Sequence, residues 1–228
     1  MSQIPSLQSQ VPRKTFVFLA GLPASGKDTA ANFFLENNYF LMSYSKDILK
    51  PIVEDTKNSL NFYLKQTIPN ISEKEIDNAI NHIENLKQTQ NGRELYITIG
   101  AIYLPELISK LTQNKYKHFN LFCTLEYDKH QKIVIAGFRM KEEIETIQTK
   151  YPDAKIIKIL LKSDDSIRYQ RIKLRDNLDE KTIIENEKYE RATTYQKIIE
   201  NIKFDYIIEN NSNEKELMSK LKSIGLGA

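Results

Sequence analysis

The stretch VFLAGLPASGKDTAANFF, residues 17–34, indicates more about the fold than any other part of this sequence. It continues an unbroken apolar run that begins at residue 15, and such runs are typical of buried parallel strands. Gly21, Gly26 and Lys27 match the pattern G-x-x-x-x-G-K, in which backbone N–H groups and the start of a helix bind a phosphate chain. The pattern predicts a strand, a phosphate-binding loop and a helix in succession.

One position of the loop departs from the usual pattern. Asp28 stands where a Ser or Thr hydroxyl normally binds Mg²⁺, and the hydroxyl follows one residue later as Thr29. A carboxylate is also a hard oxygen ligand, so Asp28 could hold the metal directly or through water. Alternatively, Asp28 only stabilises the positive end of the helix. The loop residues expected to contact a nucleotide are Gly21, Ala24, Ser25, Gly26, Lys27, Asp28 and Thr29.

Length and composition favour one ordinary globular domain. The chain has 228 residues, 40% hydrophobic and 28% charged, and its net charge of +3 is too small to indicate a stable nucleic-acid partner. No stretch approaches the roughly 18 apolar residues of a membrane helix. A single cysteine, Cys123, excludes an internal disulfide. Residues 1–13 read as a flexible tail without the features of a signal peptide. We therefore expect a cytoplasmic protein, monomeric or homodimeric, that does not bind membranes.

The remaining periodicity predicts alternating strands and helices over residues 14–228. Further strands are expected at 39–43, 132–138, 154–162 and 204–210, with helices after the last three. This alternation indicates a parallel, doubly wound sheet. The stretch 45–129 lacks strand signals and contains a capping box at Ser72 and Glu75, so a helical insertion is expected there. The last helix is expected to begin after Ser212 as its cap.

Arginines form a second group of candidate residues. Arg168, Arg171 and Arg175 are spaced i, i+3 and i+7 on one face of a predicted helix. Such a row repels itself unless an anion is nearby, and phosphoryl transfer requires positive charge around the moving group. The alternative is a solvated basic face, since several aspartates are close in sequence. Arg139 follows the third strand, where open α/β sheets bind ligands, and could clamp an acceptor's phosphate. Arg93, at the start of an insertion helix, is a second candidate.

The segments GLPASGKDT, AGFRMKEEIE, the arginine-bearing helix and FDYIIENNSNEKEL occur in the order found in nucleoside monophosphate kinase-like P-loop kinases. The sequence resembles that family from about residue 15 to 224. GKDT is similar to the loop of phage-type deoxynucleoside monophosphate kinases, and other segments resemble relatives of dephospho-CoA kinase. The resemblance implies a three-layer α/β P-loop kinase fold. Its parallel five-stranded sheet would have the order 2-3-1-4-5, with a helical acceptor-binding insertion at about 45–129 and a lid at about 164–180.

The resemblance also implies ATP as the phosphate donor, Mg²⁺ as a cofactor and a small, phosphate-bearing acceptor. By position, Ser45 and Asp47 would border the acceptor, Arg93 and Arg139 would hold its phosphate, and Asn210 and Asn211 would lie near the adenine. The residues expected to stabilise the transferred group are Lys27, Arg139, Arg168, Arg171 and Arg175. One departure is Ala136, which replaces a carboxylate that commonly helps to hold the waters of the metal.

Three functions remain open at this point. The favoured one is an ATP-dependent kinase that acts on a phosphorylated small molecule of the (deoxy)nucleoside monophosphate class, because Lys27 and the arginines are present. A second is dephospho-CoA kinase or another small-molecule kinase, whose hydroxyl acceptor would benefit from the carboxylate that Ala136 replaces. A third, which Ala136 itself suggests, is a catalytically weak nucleotide-binding regulatory protein.

Overall fold

A five-stranded parallel sheet forms the centre of the computed structural model, which describes residues 13–90, 92–113, 126–138 and 140–225. The strand order is β2-β3-β1-β4-β5, and each neighbouring pair is parallel. The strands are β1 Thr15–Ala20, β2 Phe40–Ser43, β3 Lys132–Ala136, β4 Lys155–Lys162 and β5 Tyr206–Glu209. The predicted sheet and its order are confirmed.

The observed strands are the predicted ones with shorter ends. The third was expected to run to residue 138, but β3 ends at Ala136 because Gly137 has a positive φ of 78° and leaves the extended conformation. The fifth was expected over 204–210 and covers Tyr206–Glu209. The strands therefore stop where the chain turns toward the loops at their carboxyl ends.

Helices surround this sheet. They are α1 Lys27–Glu36, α2 Lys50–Glu54, α3 Thr56–Thr67, α4 Glu73–Thr89, α5 Gly92–Ile97, α6 Leu104–Thr112, α7 Lys141–Lys150, α8 Asp165–Asp176, α9 Glu180–Glu190, α10 Gln196–Asn201 and α11 Glu214–Ser223. A 3₁₀ turn covers Glu126–Lys129, and three π-helical segments cover Tyr44–Leu49, Thr98–Tyr103 and Arg191–Tyr195. In the described ranges, no helix is long and apolar enough to cross a membrane.

The alternation of β1 creates the three layers. Phe16 and Phe18 pack into a core with the helices of segment 44–112 and with α7, whereas Val17 and Leu19 pack against α1 and α11. All four side chains are fully buried. Each such burial stabilises the fold by roughly 1.5–3 kcal/mol relative to exposure. The strand that leads into the loop is therefore held rigidly from both faces.

The first residues of two helices were predicted from their capping side chains. The capping box before α4 is confirmed, because the Ser72 hydroxyl accepts from the N–H of Glu75 and the Glu75 carboxylate accepts from the N–H of Ser72. The expected cap at Ser212 is wrong. Helix α11 begins one residue later, with Asn213 accepting from the N–H of Glu216. An Asn oxygen serves this purpose as well as a Ser hydroxyl does. The boundaries proposed for the tail, insertion and lid stay predictions.

Candidate functional site

The loop between β1 and α1 depends on two glycines. Gly21 and Gly26 have positive φ values of 149° and 100°. A Cβ at Gly21 would overlap the carbonyl oxygen of Leu161, and one at Gly26 would overlap the side-chain amide of Asn210. Both the backbone conformation and the available space therefore require glycine. Helix α1 follows Gly26 at once, so its first N–H groups lie at the loop and suit an anion.

Lys27 lies against this loop. Its ammonium nitrogen donates to the carbonyl oxygens of Gly21 at 2.6 Å and Leu22 at 2.9 Å. The loop therefore carries a fixed positive charge beside the start of α1. Asp28 follows in the first turn of the helix, with its side chain exposed to solvent.

A cavity of about 460 Å³ opens on one side of the loop, beside the residues after β5. We call it the β5-side cavity. Arg171 contributes to its wall and donates to the carbonyl oxygens of Asn210 at 3.1 Å and Ser212 at 2.8 Å. The lining residues are Ala24, Gly26, Lys27, Asp28, Thr29, Arg171, Arg175, Asn210, Ser212, Asn213, Glu214 and Leu217.

A second cavity of about 450 Å³ lies beside the end of β3, and we call it the β3-side cavity. It combines aromatic, apolar and charged side chains. The lining residues are Ala20, Gly21, Pro23, Lys27, Asp28, Ser43, Ser45, Lys46, Tyr96, Ile97, Ala136, Gly137, Phe138, Arg175, Asp176, Glu190, Tyr195 and Ile198.

The two cavities share three lining residues, Lys27, Asp28 and Arg175. Two cationic groups and one carboxylate thus stand where the cavities meet. Arg175 is held there by Asp176, whose carboxylate oxygens accept from its Nε and Nη2, both at 2.7 Å. These hydrogen bonds, with a smaller contribution from the Asp28 charge, raise the pKa of the Arg175 guanidinium above its ordinary value.

The predicted row of arginines has three different environments. Arg175 lines both cavities and Arg171 lines the β5-side cavity. Arg168 lines neither of these cavities and is completely buried. Its guanidinium pairs with Glu187, at 2.5 and 2.7 Å, and with Asp165 at 2.7 Å. The anion expected near Arg168 is therefore supplied by the protein itself.

Charges around Arg168 compensate one another. Burial would lower the pKa of the Arg168 guanidinium, but its hydrogen bonds to Glu187 and Asp165 outweigh burial and raise it. Burial would likewise raise the pKa of Glu187, yet hydrogen bonds from Arg168 and Arg191 outweigh burial and lower it. The hydrogen bond from Arg168 also lowers the pKa of Asp165. Burial would also lower the pKa of the Arg191 guanidinium, but its hydrogen bond to Glu187 and the charges of Glu187 and Asp165 together outweigh burial and raise it. All four side chains are consequently ionised at neutral pH, namely Asp165, Arg168, Glu187 and Arg191.

The two asparagines proposed near the adenine, Asn210 and Asn211, line different cavities. Asn210 is buried, lines the β5-side cavity and donates from its side-chain amide to the carbonyl oxygen of Ser25 at 3.0 Å. Asn211 accepts from the N–H of Asp164 at 2.8 Å and lines a third cavity of about 370 Å³. The buried Ser25 also lines this third cavity. The structure brings only Asn210 to the edge of the β5-side cavity.

The residues proposed around an acceptor are placed unequally. Ser45 lines the β3-side cavity, whereas the Asp47 carboxylate accepts from the N–H of Ser43 and is absent from the lining of either cavity. Arg93 belongs to α5, the helix that contributes Tyr96 and Ile97 to that cavity. Arg139 lies outside the described residues.

Several residues of the β3-side cavity were missed by sequence reasoning. They are Lys46, Tyr96, Asp176, Glu190 and Tyr195. Lys46 and Tyr195 belong to π-helical segments, which often occur at functional sites but have no simple sequence pattern. The sequence pointed only to Ser45 and Arg175, which directly precede Lys46 and Asp176 in the chain.

Comparisons with known proteins give a family match and several similar solved structures. A family model described as AAA domain (AAA_18) matches residues 17–193. Similar solved structures include an uncharacterized protein from Eubacterium ventriosum ATCC 27560, with 12% identity, a TM-score of 0.50, and 93% of this chain and 98% of that chain covered. They also include TT1252 from Thermus thermophilus, with 15% identity, a TM-score of 0.48, and 93% and 96% covered. Dephospho-CoA kinase from Campylobacter jejuni has 16% identity, a TM-score of 0.44, and 92% and 95% covered. No curated protein sequence matches the chain. At 12% identity, the Eubacterium protein supports the fold alone.

Proposed function

This chain belongs to the AAA domain family of P-loop proteins, and on that premise we propose that it is an ATP-dependent phosphotransferase. Its acceptor is a phosphorylated small molecule of the (deoxy)nucleoside monophosphate class. The observation that carries the proposal is the meeting of two cavities at Lys27, Asp28 and Arg175. A kinase needs this arrangement, because donor and acceptor must face each other across the moving phosphoryl group.

The β5-side cavity suits the donor. It contains the start of α1, whose N–H groups and positive dipole end favour phosphates. Arg171 and Asn210 lie further along it, and their hydrogen bonds to backbone carbonyls fix a polar wall beside which the base and ribose would lie. In this position the γ-phosphate of ATP would reach Lys27 and Arg175, where positive charge stabilises the transition state.

The β3-side cavity suits a phosphate-bearing acceptor with a planar base. Tyr96, Phe138 and Tyr195 offer aromatic surfaces, and Lys46 adds a cation to the two at the junction. Strand β3 ends in Ala136, so no carboxylate from this position can act as a base. An acceptor phosphate needs none, because it is already an anion. A hydroxyl acceptor would lack that help.

Asp28 fits a role in binding Mg²⁺ with the nucleotide. The fold implies such a metal, and the exposed Asp28 carboxylate lies beside Lys27 at the junction. Mg²⁺ usually takes one or two carboxylates together with substrate phosphates and water. Among the described residues, no group of three or more His, Cys, Asp or Glu side chains is arranged to hold a metal. Mg²⁺ bound with the nucleotide would shield the phosphate charge, and Asp28 would anchor it.

The proposal is tested by incubating the protein with ATP and Mg²⁺ and each nucleoside or deoxynucleoside monophosphate, with dephospho-CoA as a further acceptor. Chromatography would separate the products. We expect ADP and one phosphorylated product in equal amounts with at least one monophosphate. Product from dephospho-CoA alone would replace the proposed acceptor class with a hydroxyl acceptor. ATP binding without product from any acceptor would contradict the phosphotransferase.

A nucleotide-binding regulatory protein is the second candidate, and Ala136 favours it. The β3-side cavity has only a methyl group where a carboxylate commonly helps to hold the waters of the metal. This candidate predicts tight ATP binding with no acceptor-dependent release of ADP. The same assay therefore separates the two functions, provided that ATP affinity is measured in parallel.

A further inference from the structure

The ion pair between Arg168 and Glu187 lies outside the two cavities assigned to ligands. The Arg168 side chain is 0% exposed and that of Glu187 is 3% exposed. Two guanidinium nitrogens donate to the two carboxylate oxygens, which is the strongest geometry for such a pair. A buried ion pair is still seldom more stabilising than well-packed apolar side chains, since both charges lose their hydration. Stability alone therefore gives little reason for this pair.

The pair is connected to the phosphate-binding loop. Nη1 of Arg168 donates to the carbonyl oxygen of Pro23 at 3.2 Å as well as to Glu187. One turn later on α8, Nη1 of Arg171 donates to the carbonyl oxygen of Ala24 at 3.3 Å. Two consecutive loop carbonyls are thus held by one face of one helix. Glu187 fixes the guanidinium that holds the first of them.

Peptide geometry makes this contact directional. The peptide between Pro23 and Ala24 is planar and trans, so its N–H points opposite to its carbonyl. With the carbonyl bound to Arg168, the N–H of Ala24 points away from α8. Ala24 also has a φ of 57°, in the left-handed region that residues other than glycine rarely adopt. Such a conformation persists when surrounding contacts hold it.

We propose that the Arg168–Glu187 ion pair holds the Pro23–Ala24 peptide so that the loop presents its N–H groups to the phosphates of a nucleotide. Glu187 is then a positioning residue, which acts through Arg168 from the neighbouring helix α9. This inference rests on the proposed function, because the ligand is the ATP of that reaction. It also changes the role of Arg168, which orients the loop and does not itself contact the transferred group.

A double variant separates positioning from stability. Arg168→Met/Glu187→Leu replaces the pair by apolar side chains, and Asp165 and Arg191 can still pair with each other at 2.6 Å. We expect a melting temperature equal to or above that of the wild type. Affinity for a non-hydrolysable ATP analogue with Mg²⁺, measured by calorimetry, should fall by about tenfold or more because a displaced binding group is costly. A stable double variant with an affinity within about twofold of the wild type would overturn the inference.

Arg191→Met provides the matched control. Arg191 donates to the same two carboxylates, Glu187 and Asp165, and within the part of the chain that the structure describes its hydrogen bonds do not reach the loop. Its loss should change the analogue's affinity much less than the double variant does. An equal loss in both would assign the effect to the charge network as a whole and contradict the specific contact with Pro23.

A second measurement covers a double variant that fails to fold. In Glu187→Gln, amide hydrogen exchange at Ser25, whose N–H donates to the carbonyl oxygen of Leu22 within the loop, should be faster than in the wild type, while exchange in β1 is unchanged. Unchanged exchange at Ser25 would contradict the positioning role. A wild-type protein that binds no nucleotide would refute the proposed function, and this inference with it. Wild-type binding together with unaffected variants would refute this inference alone.

Discussion

The β5-side and β3-side cavities are nearly equal in volume and differ in how they are built. In the β5-side cavity, the polar groups of Arg171 and Asn210 are already bound to backbone carbonyls. The β3-side cavity is lined by side chains from the ends of β2 and β3, from α5 and from the segment after α9. The wall of the β5-side cavity is thus preformed by contacts with the backbone, whereas the wall of the β3-side cavity depends on which side chains are present.

This difference explains how one fold serves many reactions. A donor nucleotide is recognised by backbone N–H groups and fixed charges, which tolerate sequence change as long as the loop is kept. An acceptor is recognised by the side chains around it, which vary without altering the sheet. If the β3-side cavity takes the acceptor, as proposed, residues such as Lys46, Tyr96 and Tyr195 would determine its identity.

The largest effect is expected where the two cavities meet. Lys27 lines both cavities and would serve both ligands in the proposed reaction, so Lys27→Ala should lower kcat/KM by about 10³-fold. Steady-state kinetics with the best acceptor of the panel would measure it. Lys50→Ala is the control, because Lys50 is exposed and pairs with Glu54 on its own helix. A Lys27→Ala enzyme with nearly normal kcat/KM would show that the junction is not the reaction centre.

Asp28 should produce the next largest effect, and one specific to the metal. In Asp28→Ala we expect activity to fall by about 10²-fold and to require more Mg²⁺ for half-maximal rate. Asp28→Ser should recover part of the loss, because a hydroxyl restores an oxygen ligand. Titration of activity with Mg²⁺ measures both variants. An unchanged Mg²⁺ requirement in Asp28→Ala would reduce this residue to a helix-stabilising charge.

Two single variants should separate the cavities. Arg171→Ala should raise the KM for ATP by about tenfold and leave the KM for the acceptor unchanged, whereas Lys46→Ala should do the reverse. Each variant is the other's control, since, of the two cavities, Arg171 lines the β5-side one and Lys46 the β3-side one. If both variants altered the same KM, the assignment of donor and acceptor to different cavities would be wrong.

The smallest effect is expected on the free energy of unfolding, from a change in segment 44–112. Ser72→Ala removes the cap of α4 and should lower the free energy of unfolding by about 1 kcal/mol. Urea denaturation would measure the loss, and kcat/KM should stay unchanged because Ser72 lines neither cavity. A change in kcat/KM without a change in stability would indicate that α4 takes part in acceptor binding.

Sequence reasoning reached the parts of the molecule that are local in the chain. The strand, glycines, lysine and helix of residues 15–36 follow from neighbouring residues, and the apolar runs gave the other strands. The arginine row shows where this reasoning stops. Arg168 and Arg175 lie on one face of α8 but about 10 Å apart along it. Glu187 covers the first end of that face, while the second end opens into the cavities.

The wall of the β3-side cavity was harder to foresee for the same reason. Lys46, Tyr96 and Tyr195 are far apart in sequence and meet only when the helices pack. Two of them belong to π-helical segments, where the wider turn shifts side chains from the positions that an α-helical period would give. Periodicity identifies which residues are buried more readily than which ones share a cavity.

The central claim, that donor and acceptor occupy separate cavities that meet at Lys27, Asp28 and Arg175, is tested most directly by a crystal structure with a non-hydrolysable ATP analogue and Mg²⁺. We predict the base and ribose in the β5-side cavity beside Arg171. The γ-phosphate should lie between Lys27 and Arg175 and point into an open β3-side cavity. A base seated among Tyr96, Phe138 and Tyr195, or phosphates bound away from the loop, would contradict the account.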